Sequence, residues 1–388
     1  MKLYSGHVVK RGKSYRGIIE LGRDANGKRP RITFTHRIKR EADAELARRL
    51  NELNMGLRIT SSKMTTADYL ARWLRDYAST NVSAKTYQRY KQIVEKNIVP
   101  ALGHYHLASL TPLQIQDFYS WALTHGRSKG VGDGLSPRTV LHFHRVLHKA
   151  LGQAVRWQLL NHNPADAVEP PKVQRAEMKY LASDETARLL RELDSTPYYL
   201  PALIASCTGM RRGEVLGLRW SDVDLDGKCL YVRRSLMQTD DGLTFKSPKS
   251  RKGRRIDLGD SVLRELRRHK ARQAENRLAL GASYQDNDLV VCRDDGSACK
   301  PDTFTTAFRS YVHRRGFNIS FHSLRHSHAT QLLERGINPK VISERLGHAN
   351  ISITLDIYSH VTPTMQEEAA SVFDSMLDEA MRRVGEAG

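Results

Sequence analysis

The spacing of apolar and polar residues divides the chain into stretches of different character. Over the first 63 residues the two alternate, so Tyr4 to Val9, Ser14 to Leu21 and Arg31 to Phe34 read as short strands. Lys10-Arg11-Gly12-Lys13 and Asp24-Ala25-Asn26-Gly27-Lys28 separate them and suit turns, and a helix from about Arg40 to Asn54 closes the unit. From Thr65 to about His162 the period lengthens to that of a helix. The helices expected there are Thr66 to Ala78, Ser83 to Val99, Leu113 to Leu123 and Pro137 to Gln158. Thr111-Pro112 and Ser136-Pro137 each set a capping hydroxyl before a proline in the first helical position, which fixes two of these starts. The loop from Gly126 to Gly134 can touch phosphates or simply connect. Asn163-Pro164 and Glu169-Pro170-Pro171-Lys172 then interrupt the period, and extended proline-rich backbone of this kind suits a linker ending near Pro171.

Beyond the linker the patterns mix. Leu181 to Leu193, Tyr199 to Cys207 and Arg212 to Leu218 read as helices. Cys229 to Leu236, Leu243 to Phe245 and Arg255 to Leu258 read as strands of a short antiparallel sheet, and helices return from Asp260. Near the end, Met365, Ala369, Val372, Phe373, Met376, Leu377, Ala380 and Met381 fall on one helical face between Thr364 and Val384. That face needs an apolar cover, from its own domain or from a neighbouring protomer. The expected architecture is multidomain and mainly α with small β-sheets. It comprises a basic, β-rich segment at 1–63, a helical domain at 64–171 and a mixed α/β domain at 172–388.

Charge narrows the partners. With Lys+Arg 62 against Asp+Glu 42 the net charge is +20, which favours a polyanion, nucleic acid ahead of an anionic membrane. The first 63 residues hold 16 Lys/Arg and 6 Asp/Glu, so half of that charge sits on the small N-terminal unit. Lys10, Arg11, Lys13, Arg16 and Arg31 are its candidate DNA contacts, since a sheet face rich in Lys and Arg can lie in a groove. An unspecific basic appendage is the alternative. No apolar run reaches the roughly 18 residues of a membrane span, and the first residues lack a signal peptide's apolar core, so a cytoplasmic, nucleoid-associated protein is expected. The 4 cysteines show no CxxC pair and read as reduced and structural.

The residues that can carry chemistry lie in the second half. Ser320 can cap a helix beginning at Phe321, which puts His322 and Arg325 on one face of its first turns beside free backbone N–H groups, a sound anion site. His322 and His326 are also spaced to share a metal, but no nearby carboxylate or cysteine supplies a third ligand. Arg211 follows Thr208-Gly209-Met210, where the glycine can end one helix and let the next begin with the arginine turned inward. Lys249 lies between two expected strands, with Lys246 and Lys252 as competitors for the same role. His348 follows Leu346-Gly347, and Tyr358 stands far enough beyond it for a turn and a short helix. Arg212, Arg219, Arg251, Lys252, Arg254 and Arg255 are further candidate phosphate contacts, or simply a solvated charged surface.

In that order, Arg211, Lys249, His322, Arg325, His348 and Tyr358 resemble the catalytic set of the tyrosine recombinase, or phage-integrase, family, over a stretch from about Met178 to Thr362. By the same resemblance the helical domain corresponds to a core-site-binding domain and the basic segment to an arm-binding domain. The resemblance implies a DNA strand cut and rejoined through a 3′-phosphotyrosine on Tyr358. The two arginines would hold phosphate oxygens, His322 would be the general base, Lys249 would protonate the leaving 5′ oxygen and His348 would hydrogen-bond the phosphate. It also implies double-stranded DNA with core and arm sites as partner, four protomers on two duplexes, accessory DNA-bending or directionality proteins, and neither cofactor nor metal. The sequence accordingly holds no GxxxxGK[ST] loop. An integrase of a mobile element is the leading expectation. A Xer-like dimer resolvase, a type IB topoisomerase and a non-catalytic DNA-binding regulator with this fold are the alternatives.

Overall fold

The computed structural model describes residues 4–21, 31–54, 64–126, 134–174, 179–246, 253–358 and 362–386, and divides into two compact units, Met1–Arg175 and Ala176–Gly388. The first unit opens with a three-stranded antiparallel sheet, β1 (Ser5–Arg11), β2 (Ser14–Glu20) and β3 (Arg31–His36), backed by helix α1 (Lys39–Asn54). Alternation explains the packing. Ile19 and Ala42 are fully buried between sheet and helix, and the Phe34 ring lies over Gly17, where a Cβ would collide with it. In the register Val9↔Arg16 and Arg16↔Thr35, with Glu20↔Arg31 and Arg11↔Ser14, the side chains of Arg11, Arg16 and Arg31 share the opposite, open face.

The rest of this unit is helical: α2 (Thr66–Trp73), α3 (Ser79–Asn81), α4 (Ala84–Ile93), α5 (Val99–Leu102), α6 (Pro112–His125) and α7 (Pro137–Arg156). A capping box between Thr111 and Gln114 starts α6, and Ser136 accepts from the Thr139 N–H at the start of α7, so both hydroxyl–proline signals act as the sequence implies. Two of the expected continuous helices contain π-helical turns, Leu74–Ala78 and Val94–Ile98. The wider turn keeps Leu74 and Ala78, and Val94 and Ile98, buried in pairs, and Trp73 stacks on both Tyr77 and Tyr90.

In the second unit, α8 (Ser183–Glu192), α9 (Tyr199–Thr208) and α10 (Arg212–Leu216) precede strands β4 (Val223–Asp224), β5 (Cys229–Val232), β6 (Ser235–Thr239), β7 (Gly242–Lys246) and β8 (Arg254–Asp257). Then follow α11 (Asp260–Leu280), α12 (Pro301–His313), α13 (Phe321–Glu334), α14 (Pro339–Leu346), α15 (Ser352–Tyr358) and α16 (Thr362–Glu386). Helix α9 is apolar nearly all round because α8, α10, α11 and α13 cover it, and Leu189, Ile204, Val215, Leu263, Phe308 and Leu324 fill the core. The single strand expected from Cys229 to Leu236 is broken. Arg233 and Arg234 both turn to the buried Asp222 carboxylate at 3.4 Å, which takes the chain out of the β4-β5-β8 sheet and into a separate β6-β7 hairpin. On α16 the side chains of Val372, Phe373, Met376, Leu377 and Met381 are exposed, so none of these five has an apolar cover among the described residues. Among the described residues no helix is long and apolar enough to cross a membrane.

Candidate active site

Gly209 ends α9 in the left-handed region (φ 65°), and a Cβ there would collide with Leu346 and His328. The turn it makes delivers Arg211 to the start of α10. There the Arg211 N–H and Nη1 both donate to Glu214, each at 2.9 Å, while Nη2 donates to the Gly347 carbonyl at 3.0 Å. Glu214, only 2% exposed, also receives a forked pair of bonds from Arg254 at 2.7 and 3.2 Å. Burial alone would raise its pKa. The bonds from Arg254 and Arg211 overcome that and hold it below the usual carboxylate range.

Helix α13 brings the second arginine. Ser320 caps it, accepting from the Ser323 N–H, and Arg325 emerges 3% exposed with Nη1 donating to the Gly209 carbonyl at 2.6 Å. Its Nη2 is buried and has no hydrogen-bond partner among the described residues. Burial and then the charge of Arg211 push the Arg325 pKa down to about 9, which leaves the guanidinium protonated at neutral pH. Arg211 and Arg254 thus bond one carboxylate whose charge also reaches Arg325, a surplus of positive charge with one donor left unmet among the described residues. That is the electrostatic form of an anion-binding pocket.

The histidines complete it. His322 keeps solvent access at the edge of the cluster. Desolvation by its surroundings, then His326, Arg325 and Arg211, push it down to about 4. It meets His326 edge to face at 4.8 Å between ring centroids; among the described residues no group of three or more His, Cys, Asp or Glu is placed to hold a metal ion. His348 follows Gly347, which ends α14 at φ 65°. Its N–H donates to the Ser343 carbonyl at 3.0 Å, and its Nδ1 lies 2.8 Å from the hydroxyl of Thr354 on α15. Burial first, then Arg325, Arg211, His326 and Arg254, push His348 down to about 4. Both imidazoles are therefore neutral at pH 7, as a base or a neutral donor requires.

The structure brings Arg211, His322, Arg325 and His348 together. Tyr358 is the last residue of α15, and its side chain lies outside the described residues, as do Lys249, Arg251 and Lys252. Two arginines need reassignment. Arg254 is not a surface phosphate contact: its side chain is only 9% exposed, its two terminal nitrogens hold Glu214, and Nε donates to the Arg345 carbonyl at 2.8 Å. Arg212 is turned toward the start of α12, where Nη1 donates to the Pro301 carbonyl at 2.9 Å and to the Thr305 hydroxyl and faces Asp302. In the N-terminal sheet, Lys10 falls on the alternate register from Arg11, Arg16 and Arg31, and Lys13 lies in the turn before β2. Glu214, Arg345 and Thr354 are site residues that sequence reasoning missed. Glu214 carried a usable signal, the spacing of a helix-start capping box from Arg211.

Comparison with known proteins identifies relatives of both units. Residues 179–365 match the model of the phage integrase family, and residues 65–121 match the N-terminal SAM-like domain of phage integrases. A protein named tyrosine recombinase XerC-like from Caldanaerobacter subterraneus is 28% identical over 95% of this chain and 98% of its own length. The ICEBs1 integrase of Bacillus subtilis is 28% identical over 77% of this chain and 81% of its own. Among solved structures, the Tn1549 transposon integrase in complex with transposon right-end DNA shares the fold with a TM-score of 0.67 at 22% identity, over 80% of this chain and 100% of that one.

Proposed function

We propose that this chain, which belongs to the phage integrase family of tyrosine recombinases, integrates and excises a mobile element by cutting and rejoining DNA at specific sites through Tyr358. The observation that carries the site assignment is the arginine cluster around Glu214, with a buried Arg325 donor awaiting an acceptor and two neutral histidines beside it. A phosphodiester resists attack because its negative charge repels nucleophiles and its alkoxide is a poor leaving group. Arg211 and Arg325 bond the non-bridging oxygens as charge gathers in the pentacoordinate transition state; donors of this kind contribute about 3–4 kcal/mol each. His322 takes the phenol proton as the Tyr358 oxygen bonds to phosphorus. The bond to the 5′ oxygen breaks, and Lys249 protonates that oxygen. The phosphotyrosine conserves the bond energy, so the 5′-hydroxyl of a second strand reseals the backbone without nucleotide hydrolysis.

On this reading double-stranded DNA is the partner. The helical domain grips core sites, and Arg11, Arg16 and Arg31 on the open sheet face contact distal arm sites. The exposed apolar face of α16 docks on a neighbouring protomer in a tetramer spanning two duplexes, with accessory proteins setting direction. The test uses DNA flanking the protein's own gene, incubated with wild type or Tyr358→Phe without metal or nucleotide and then denatured. A covalent protein–DNA band with wild type alone is expected; binding by both without any adduct would refute the catalytic assignments. The relative named XerC-like favours a second reading, resolution of replicon dimers. Reaction between directly repeated sites on one plasmid, with none between separate attachment sites, would select it.

A further inference from the structure

The Thr354 side chain is 0% exposed, and its hydroxyl lies 2.8 Å from Nδ1 of His348. A buried hydroxyl must place its proton on an acceptor, and among the described residues that acceptor is His348 Nδ1. If Nδ1 instead carried the hydrogen and donated to the hydroxyl oxygen, the hydroxyl proton would be buried with nowhere to go. The bond therefore has a direction. Thr354 donates, the Nδ1 lone pair accepts, and the single proton of a neutral imidazole sits on Nε2.

We propose that Thr354 is a positioning residue that locks His348 as the Nε2–H tautomer, presenting a donor to the substrate phosphate, and does so only while α15 is docked on its own domain. The phosphate part rests on the recombinase reading above; the tautomer does not. Thr354 and Tyr358 are one helical turn apart on α15, so the docking that sets the histidine also sets the position of the helix end that carries the tyrosine. A protomer whose α15 has lifted away loses both at once, because His348 then reverts to a mixture of tautomers. Gly347, the residue before His348, accepts from Arg211 through its carbonyl, so the arginine and the tyrosine helix are both tied to these two adjacent residues.

The test uses the full chain labelled with 15N in its histidines, with the His348 signals assigned by their loss in H348N. Long-range 1H–15N spectra at pH 7 should show His348 as Nε2–H in wild type and in Thr354→Ser, and as a mixture in Thr354→Val, which keeps the side chain's shape. Adduct formation should slow at least about tenfold in Thr354→Val, the scale expected when a reacting group loses its alignment. DNA affinity should stay at the wild-type value and Thr354→Ser should recover most of the rate. An Nδ1–H pattern in wild type, or an unaltered tautomer in Thr354→Val, overturns the proposal. Should Thr354→Val not fold, the wild-type and Thr354→Ser spectra still decide. An Nε2–H pattern in a wild type that forms no adduct would remove the recombinase reading while leaving the Thr354 bond in place.

Discussion

Arg16 and Arg31 stand on an open strand face, touching Thr33 at 3.2 Å and Glu20 at 2.9 Å. Arg211, Arg254, Arg325 and Arg345 are instead held by carbonyls and one buried carboxylate. The same side chain thus works in two physical regimes. On the sheet it is a hydrated cation, and under the proposed role in DNA binding its contribution comes from released counterions. In the cluster its donors are aimed before any ligand arrives, so little reorganisation accompanies charge development. Glu214 makes the second regime possible, because buried guanidinium groups without a counter-charge would repel one another.

Glu214→Ala is the most direct way to break this contrast. It leaves the part-buried Arg211 and Arg254 without the buried carboxylate they share, and loss of one member of a buried pair costs about 3–5 kcal/mol. Thermal and urea unfolding of the full chain should show the second unit melting well below wild type; an unchanged transition would mean that the arginines are not clamped as described. A smaller effect comes from His328 beneath the cluster. Its Nε2 accepts from Arg345 at 3.2 Å, and burial, then Arg345, push it down to about 4 despite a bond to the Ser206 carbonyl. The unfolded chain protonates this group near pH 6.5 and the folded chain resists until about 4, so its stabilisation is complete above the first value and declines as pH falls toward the second. That decline amounts to about 3 kcal/mol. His328→Gln should flatten the stability curve over that interval, and an equal slope in both proteins would contradict it. The smallest change is expected from Arg16→Ala. As an exposed cation it should reduce the slope of log affinity against log salt by about one. An unchanged slope in titrations against duplex DNA would place the sheet face away from phosphates.

Much of the fold could be read from the chain because its signals are local. Thr111-Pro112, Ser136-Pro137 and Ser320 start helices through bonds made within three residues. The alternation in Ser14 to Glu20 sets which side of the first sheet is buried. What escaped depends on partners distant in sequence. Nothing around Arg254 distinguishes it from Arg255, yet one is turned inward onto Glu214 and the other lies in solvent against Asp257 at 3.0 Å. The break after Val232 arises from Asp222 attracting two arginines, which a run of strand formers conceals. The order of chemical residues led to Arg211, His322, Arg325 and His348. Thr354 stayed hidden because a threonine in a short helix looks like any other until its neighbour is known.

The divided sheet has a mechanical consequence. β7 is exposed along nearly its whole length, whereas β8 is paired to β5 within the core sheet, and the β6-β7 ribbon is tied to its domain through β6, which packs on α10 and α12. The ribbon is therefore a shelf fixed along one edge and open along the other. A load on the open edge passes through β6 to α10, the short helix whose first turn carries Glu214.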